Sequence, residues 1–274
     1  MTECELCFHA CRLEIGQDGF CRARRNVDGV ITLIHYGSVT SVALDPIEKK
    51  PLLHFFPGKK ILSIGGYGCN LRCPFCQNYS ISMSGDKTSR TSPLSPQEVV
   101  ALALQYQTKG NIGVAYTYNE PLIAFEYVLD TAKLVHEAGM KNVLVTNGTI
   151  NEAPLLRLLP YIDAMNIDLK GFTPAFYAKL QGDLETVKHT IERSAKECHV
   201  EITTLIIPGE NDSDDDMRAQ AKWLASINPE MPLHLSRFFP HYLWIDKPAT
   251  PLETLVRLQK IASGYLKNVY LGNV

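Results

Sequence analysis

Residues 68–78 read GCNLRCPFCQN and place three cysteines, Cys69, Cys73 and Cys76, in one short segment. Disulfide frameworks use cysteines in pairs, and structural zinc sites usually take four ligands, so a group of three leaves one position open. Thiolates are also the ligands of iron–sulfur clusters. Three of them on a four-iron cluster would leave one iron free to bind a small molecule. A zinc loop or three unrelated buried cysteines are the alternatives.

The composition favours one large α/β domain, or such a domain with a small module. The chain has 274 residues, with 27 Lys and Arg against 29 Asp and Glu, and neither sign of charge forms a long run. We therefore expect no nucleic-acid surface. The start of the sequence has no apolar signal region, and no segment approaches the roughly 18 apolar residues of a membrane span. We expect a cytoplasmic protein without membrane contact, and in that compartment clustered cysteines bind metal more often than they form disulfides.

From residue 60 onward, short β-type runs alternate with helical ones. The predicted strands are 60–65, 112–117, 141–146, 164–169, 200–207 and 232–238, with a further run at 268–271. The first predicted helix begins at Ser95-Pro96. The others cover 121–138, 151–159, 184–198, 214–227 and 251–266. Strands separated by helices pair in parallel, so the predicted fold class is α/β, a partial (βα)6 barrel. Functional loops of such folds follow the carboxyl ends of the strands, and the three-cysteine segment follows the first of them.

The preceding residues are predicted to be a separate unit. Residues 1–58 would form a small Cys-rich module with a β-hairpin, and residues 59–274 the partial barrel. The hairpin would pair VITLIHYG (30–37) with VTSVALDP (39–46) across a Gly-Ser turn.

A second group of cysteines lies in this module. Cys4, Cys7, Cys11 and Cys21 supply four soft ligands, enough to close a zinc site or to hold an auxiliary iron–sulfur cluster. We expect His9 to lie beside that site rather than in it. The lone Cys198 is interpreted as a small core residue.

The segment GCNLRCPFC resembles the cluster loop of the radical S-adenosylmethionine (radical SAM) enzymes. The resemblance implies that Cys69, Cys73 and Cys76 hold a 4Fe–4S cluster whose fourth iron chelates the amino and carboxylate groups of SAM. In that family an electron from the cluster splits the sulfonium C–S bond, and a 5′-deoxyadenosyl radical abstracts hydrogen from the substrate. It further implies that Phe75 packs on the adenine, and that an electron donor such as flavodoxin or ferredoxin is a partner.

The segment YNEP (118–121) extends the resemblance to the next strand end. It stands where the family has a Gly-Gly-Glu-Pro loop, and Glu120 would accept a charge-assisted hydrogen bond from the SAM ammonium. Tyr118 and Asn119 replace the two glycines, so the backbone geometry of this loop is the point to check in the structure.

Later strand ends resemble loops of pyruvate formate-lyase activating enzyme and its relatives. The segments concerned are VTNG (145–148), IDLK (167–170), IIPGENDSDDD (206–216) and RFFPHY (237–242). The resemblance implies a group of residues near SAM, namely Asn119, Asn147, Asp168, Lys170 and His241. In those relatives two acidic groups help to hold a monovalent cation; Asp168 matches one of them, and Val145 stands at the other.

The segment ALDPIEKKPLLHFFPGKKILSIGG (43–66) resembles the radical SAM member of the AmmeMemoRadiSam group, over almost the whole chain. The leading hypothesis is therefore a radical SAM enzyme that takes hydrogen from a substrate. That substrate could be a glycine of a partner protein, as in activation of a glycyl radical enzyme, or another protein, a peptide or a small molecule. A non-catalytic iron–sulfur, zinc-binding or electron-transfer module is the alternative of a different class. An NAD-type enzyme is disfavoured, because GGYGCN (65–70) lacks the G-x-G-x-x-G pattern.

Overall fold

Strands account for the centre of the molecule. The computed structural model describes all residues from 1 to 274, and its strands in chain order are β1 (Thr2–Glu3), β2 (Arg12–Leu13), β3 (Arg24–Val27), β4 (Val30–Leu33), β5 (Ser38–Val39), β6 (Ser41–Pro46), β7 (Lys60–Gly65), β8 (Ser92–Pro93), β9 (Asn111–Tyr116), β10 (Lys141–Thr146), β11 (Ala164–Asp168), β12 (His199–Ile206), β13 (Leu233–Arg237) and β14 (Val269–Gly272).

Helices connect most of these strands. They are α1 (Tyr79–Ser82), α2 (Pro96–Gln105), α3 (Phe125–Glu137), α4 (Glu152–Leu158), α5 (Pro174–Lys179), α6 (Leu184–Ser194), α7 (Asp214–Ile227) and α8 (Leu252–Ala262). Single 3₁₀ turns cover Ile47–Lys49, Gln107–Lys109, Pro121–Ala124 and Leu159–Tyr161. Ser95 begins α2 with a capping box, in which its side chain accepts from the Glu98 amide and Glu98 accepts from the Ser95 amide.

Eight strands form one sheet in the order β14-β13-β12-β11-β10-β9-β7-β6. All neighbours pair in parallel except β6, which runs antiparallel to β7. The prediction of an α/β fold with a mainly parallel sheet is confirmed. Because parallel strands joined by helices have their carboxyl ends on one edge, the loops after β7, β9, β10 and β11 lie together.

The sheet curls round the connection between β6 and β7. Ile47 and Leu52 of that connection are fully buried against Ile61, Ala115, Val143 and Ala164, which lie on the four neighbouring strands β7, β9, β10 and β11. At the other side, His54 of the same connection lies 2.7 Å from the Tyr270 hydroxyl on β14. One segment thus contacts both halves of the sheet.

The predicted hairpin between residues 30–37 and 39–46 is wrong. β4 pairs instead with β3, across a turn in which Asp28 and Gly29 have φ of +50° and +90°. Asp-Gly at such a turn is a strong hairpin signal, because both central residues need positive φ. The second half of the predicted hairpin is β6, which joins the main sheet beside β7.

The division of the chain at residues 58 and 59 stays a proposal. β6 lies on the N-terminal side of that boundary and pairs along its whole length with β7 on the other side.

The helices predicted at 184–198 and 251–266 end earlier, at Ser194 and Ala262. None of the helices combines the length and the apolar character that crossing a lipid bilayer requires.

Candidate functional site

The three-cysteine loop begins directly after β7 and turns back sharply. Gly68 has φ of +84°, and a Cβ atom added there would lie 2.4 Å from the Cys21 carbonyl oxygen. Only glycine fits this close approach between the loop and the N-terminal segment. The loop is further tied down by Arg72, whose guanidinium donates to the Cys69 and Leu71 carbonyl oxygens, each at 2.8 Å.

All three loop cysteines line one cavity of about 270 Å³ at the carboxyl ends of the strands. Burial raises the pKa of each thiol, that of Cys73 to about 12. Without a metal these thiols are protonated, and metal binding would release their protons. Three soft donors that line one cavity of this size fit an iron–sulfur cluster with one open iron, which is larger than a single ion.

Glu120 is the buried acid of this cavity. Its side chain accepts hydrogen bonds from the Leu122 amide at 2.9 Å, the Thr146 hydroxyl at 2.6 Å and the Asn147 amide at 2.7 Å. The residue is only 3% exposed, and burial raises its pKa to about 7 although these hydrogen bonds oppose the shift. The carboxylate is thus fixed in place and able to accept one more donor from the cavity.

Two asparagines connect the loops around the cavity. The Asn119 side chain accepts from the Gly66 amide at 2.9 Å and donates to the Gly68 carbonyl at 3.1 Å, so it joins the β9 loop to the cysteine loop. Asn147 donates to the Asn70 side-chain oxygen at 2.9 Å and points the same amide at the Cys69 sulfur, 3.7 Å away. Both residues line the cavity.

Asp168 and Lys170 contribute the other charges. The Lys170 ammonium donates to the Asp168 carboxylate at 2.8 Å. Burial disfavours the ammonium, but the Asp168 charge outweighs this effect and holds the pKa of Lys170 above its ordinary value. The cavity therefore carries one ion pair and one additional acid, beside largely uncharged walls that include Thr203 and Ser236.

Nine of the ten residues predicted near the cluster or SAM line this one cavity, and His241 does not. Phe75 is 4% exposed and lies parallel to the Phe176 ring, with 6.4 Å between ring centroids. His241 lies instead beside the outer end of the cysteine loop, with Nε2 3.3 Å from the Gln77 carbonyl oxygen. Whether it reaches SAM stays a prediction.

The four N-terminal cysteines line a separate and very small cavity of about 10 Å³, together with His9 and Arg24. Burial raises the pKa of Cys7 to about 12 and also raises that of Cys21. No group of three or more His, Cys, Asp or Glu side chains in the chain is arranged closely enough to hold a single metal ion.

The N-terminal segment is nevertheless bound to the cysteine loop. His9 Nε2 donates to the Asn70 carbonyl oxygen at 2.8 Å, and its ring stacks on Phe20 with 4.0 Å between centroids. The Arg72 guanidinium also lies over the Phe20 ring, 3.8 Å from its centroid.

Sequence reasoning missed two residues, Thr146 and Asn70, whose hydrogen bonds hold the site residues in place. Thr146 and Asn70 contact Glu120 and Asn147 through side-chain hydrogen bonds, yet neither belongs to a residue type that signals chemistry. The available signal was the Thr146-Asn147 pair at the end of β10. It did not identify Glu120 as the bonding partner, because the two segments are far apart in the chain.

Comparison with known proteins identifies the family. The model of the radical SAM superfamily matches residues 63–221, so the chain belongs to this superfamily and is an enzyme. Members of the superfamily bind a 4Fe–4S cluster and SAM.

Several particular relatives are similar to this chain. The uncharacterized protein MJ0808 of Methanocaldococcus jannaschii is 42% identical, over 100% of this chain and 81% of that protein. The pyruvate formate-lyase-activating enzyme of Listeria monocytogenes is 26% identical, over 58% of this chain and 67% of that enzyme. The putative glycyl-radical enzyme activating enzyme MJ1227 of M. jannaschii is 24% identical, over 80% of this chain and 91% of that protein.

Solved structures share the fold. A domain of the pyruvate-formate lyase-activating enzyme from Bacteroides vulgatus matches with a TM-score of 0.51 and 21% identity, over 59% of this chain and 99% of that domain. Streptococcus suis SuiB bound to the precursor peptide SuiA matches with a TM-score of 0.58 and 16% identity, over 83% of this chain and 51% of SuiB.

Proposed function

We propose that Cys69, Cys73 and Cys76 hold the 4Fe–4S cluster and that the cavity beside them binds SAM. The single observation that carries this proposal is the shared cavity: three buried thiols and the buried Glu120 carboxylate face the same space of about 270 Å³. A non-catalytic metal module would have no use for a buried acid held by three hydrogen-bond donors beside its cysteines.

Different residues of the cavity would bind different parts of SAM. Glu120 accepts a charge-assisted hydrogen bond from the N–H of the SAM amino group, and Phe75 provides an apolar surface for the adenine. The Asp168–Lys170 pair and Asn147 complete the polar wall around the amino acid part of SAM. The cluster that Cys69, Cys73 and Cys76 would hold would supply one electron for the cleavage of SAM to methionine and a 5′-deoxyadenosyl radical, and the radical would take hydrogen from the substrate.

This proposal is tested by product analysis. Protein loaded with iron and sulfide without oxygen, reduced with dithionite and given SAM, releases 5′-deoxyadenosine and methionine. Cys73→Ala abolishes both products, while Cys198→Ala, which changes a cysteine outside the cavity, retains them. Absence of both products from iron-loaded wild-type protein would contradict the proposal.

We further propose that the hydrogen donor is a protein, with a glycine Cα–H as the bond that is broken. Two of the similar proteins carry activating-enzyme names, which supports this choice. Exposed apolar side chains next to the cysteine loop also support a macromolecular partner: Leu243 and Ile245 are each 65% exposed, and the Leu243 amide donates to the Pro74 carbonyl at 2.9 Å. A flavodoxin or ferredoxin is proposed as the electron donor.

Deuterium transfer separates a protein substrate from a small molecule. Extract proteins from cells grown on α-dideuterated glycine are divided by ultrafiltration and supplied to the reduced enzyme with SAM. We expect deuterium in 5′-deoxyadenosine with the protein fraction only. Label transferred from the filtrate alone would assign a small-molecule substrate.

The four N-terminal cysteines are proposed to form a second site, for either zinc or an auxiliary iron–sulfur cluster. The support for this proposal is that all four cysteines line one small cavity. Because the four side chains are not arranged closely enough to hold a single ion, metal binding would require them to rotate toward one another. Iron and zinc analysis of Cys73→Ala tests it, because that variant keeps whatever metal the N-terminal site holds. A metal-free Cys73→Ala protein would contradict two independent sites.

A further inference from the structure

Tyr118 has a backbone conformation that bulky residues avoid. Its φ of +72° lies in the left-handed region, where side chains other than glycine are strained. The residue lies in the loop after β9, two positions before Glu120. A conformation of this kind persists only where the surrounding structure holds it.

The Tyr118 side chain is held by an ion pair between Asp45 and the buried Lys50. Its hydroxyl donates to Asp45 Oδ2 at 2.7 Å, and the Lys50 ammonium donates to the same oxygen at 2.7 Å. Lys50 also lies over the Tyr118 ring, 4.8 Å from the centroid, and is only 2% exposed. A lysine this deeply buried is rare without a specific partner, so the three side chains form one connected group.

Gly65, at the end of β7, leaves the space that the tyrosine ring occupies. A Cβ atom at that position would lie 2.9 Å from Tyr118 Cδ2 and 2.5 Å from the Thr117 carbonyl oxygen. On the other side of the peptide, the Tyr118 carbonyl accepts from the Asn78 side chain at 2.6 Å. The tyrosine is thus fixed at its ring, its hydroxyl and its carbonyl group.

Tyr118 and the two residues that follow it all line the cavity. Asn119 bonds the cysteine loop through Gly66 and Gly68, and Glu120 is the buried acid. A change of φ at Tyr118 would rotate both residues together, because the chain direction beyond that bond depends on it. The Asp45–Lys50 pair therefore influences the positions of Asn119 and Glu120 through the φ angle of Tyr118.

We propose that Asp45 and Lys50 are positioning residues, which hold Tyr118 in its left-handed conformation and so place Glu120 for SAM. This inference rests on the proposed role of Glu120 in SAM binding. It gives a function to the segment ALDPIEKK (43–50), whose charged residues lie outside the cavity lining.

Glycine at position 118 should restore the SAM affinity that is lost when Asp45 is removed. If the group around Asp45 is needed because residue 118 is not glycine, then glycine at that position removes the need, since glycine adopts positive φ without strain. Asp45→Ala is expected to weaken SAM binding about tenfold. Adding Tyr118→Gly to it is expected to restore the affinity to within about threefold of wild type. Tyr118→Phe, which removes only the hydroxyl, should weaken binding by a smaller factor.

The experiment uses iron-loaded protein and two measurements. Equilibrium dialysis gives the SAM dissociation constant, and hydrogen–deuterium exchange reports the mobility of residues 117–122. Asp163→Ala is the matched control: that carboxylate pairs with Lys141 at 2.7 Å at the amino ends of β10 and β11. We expect faster exchange and weaker binding in Asp45→Ala, recovery of SAM affinity in the double variant, and neither change in Asp163→Ala.

Two results would overturn the inference. One is unchanged exchange and affinity in both Asp45→Ala and Tyr118→Phe. The other is a loss of affinity in Asp45→Ala that Tyr118→Gly does not recover, which would assign Asp45 a general structural role. Failure of wild-type protein to bind SAM would instead count against the proposed function, while the exchange measurement would still decide whether Asp45 holds the loop.

Discussion

Replacement of Glu120 by glutamine tests the buried acid of the cavity. The change keeps the size of the side chain but removes the charge and turns one accepting oxygen into a donor. Hydrogen bonds to charged groups contribute about 1.5–3 kcal/mol, so loss of the bond between the Glu120 carboxylate and the SAM amino group should weaken SAM binding roughly 10- to 150-fold. The new amide also faces the Asn147 amide or the Thr146 hydroxyl, which are themselves donors.

Glu201→Gln is the matched control for this experiment. Glu201 is also fully buried and accepts from two backbone amides, those of Leu53 and His54, but it lies near the amino end of β12, away from the cavity. Both variants should lose thermal stability, and only Glu120→Gln should lose SAM affinity when measured by equilibrium dialysis on iron-loaded protein. An unchanged dissociation constant in Glu120→Gln, or an equal loss in Glu201→Gln, would refute the assignment.

The pH dependence of binding follows from the same carboxyl. Burial raises the pKa of Glu120 to about 7, so the charged form that accepts the hydrogen bond from the SAM amino group increases as the pH rises from 6 to 8. SAM affinity should increase over that interval in both proteins, because the SAM amino group must lose its proton to bind iron, but the increase should be steeper in wild-type protein than in Glu120→Gln. For folding the sign is opposite: the stability gained by keeping Glu120 protonated is present below about pH 4.5 and is lost as the pH rises through 7.

Three further predictions concern other residues. The His199 and His234 side chains and two backbone amides lower the pKa of Glu201 to about 2 despite burial. That shift from 4.5 contributes about 3 kcal/mol of stability above pH 4.5, lost as the pH falls toward 2, and urea unfolding between pH 3 and 7 should show a flatter profile for Glu201→Gln. Phe75→Ala should weaken SAM binding about threefold, measured by dialysis, because the apolar surface over the adenine is lost. Glu126→Ala leaves the buried Arg24 guanidinium unpaired and should lower the unfolding free energy by about 2 kcal/mol, since Glu126 is itself half exposed.

The barrel could be predicted from sequence because its signals are local. Each strand of the parallel sheet is a short apolar run, and each crossover helix begins at a recognisable residue such as Ser95. The cysteine spacing and the acidic residue of YNEP are also local, so they predicted which loops would meet. The helix Pro174–Lys179 was missed because its six residues are too few to show a helical period.

The interior of the barrel could not be predicted, because its contacts join distant parts of the chain. Nothing near Asp45 indicates that it will bond Tyr118, and nothing near Leu53 indicates that its amide will bond Glu201. The left-handed backbone at Tyr118 contradicts the ordinary preference of a tyrosine, so sequence statistics would reject it. Tertiary contacts decide such positions, and they overrule local preference.

The most direct test of the central claim is the electron paramagnetic resonance spectrum of the dithionite-reduced, iron-loaded protein, recorded with and without SAM. The account predicts a signal of a reduced 4Fe–4S cluster that changes on addition of SAM, and the loss of that SAM-sensitive signal in Cys73→Ala. A cluster signal that SAM leaves unchanged, or a SAM-sensitive signal that persists in Cys73→Ala, would contradict the assignment of the open iron to the loop of Cys69, Cys73 and Cys76.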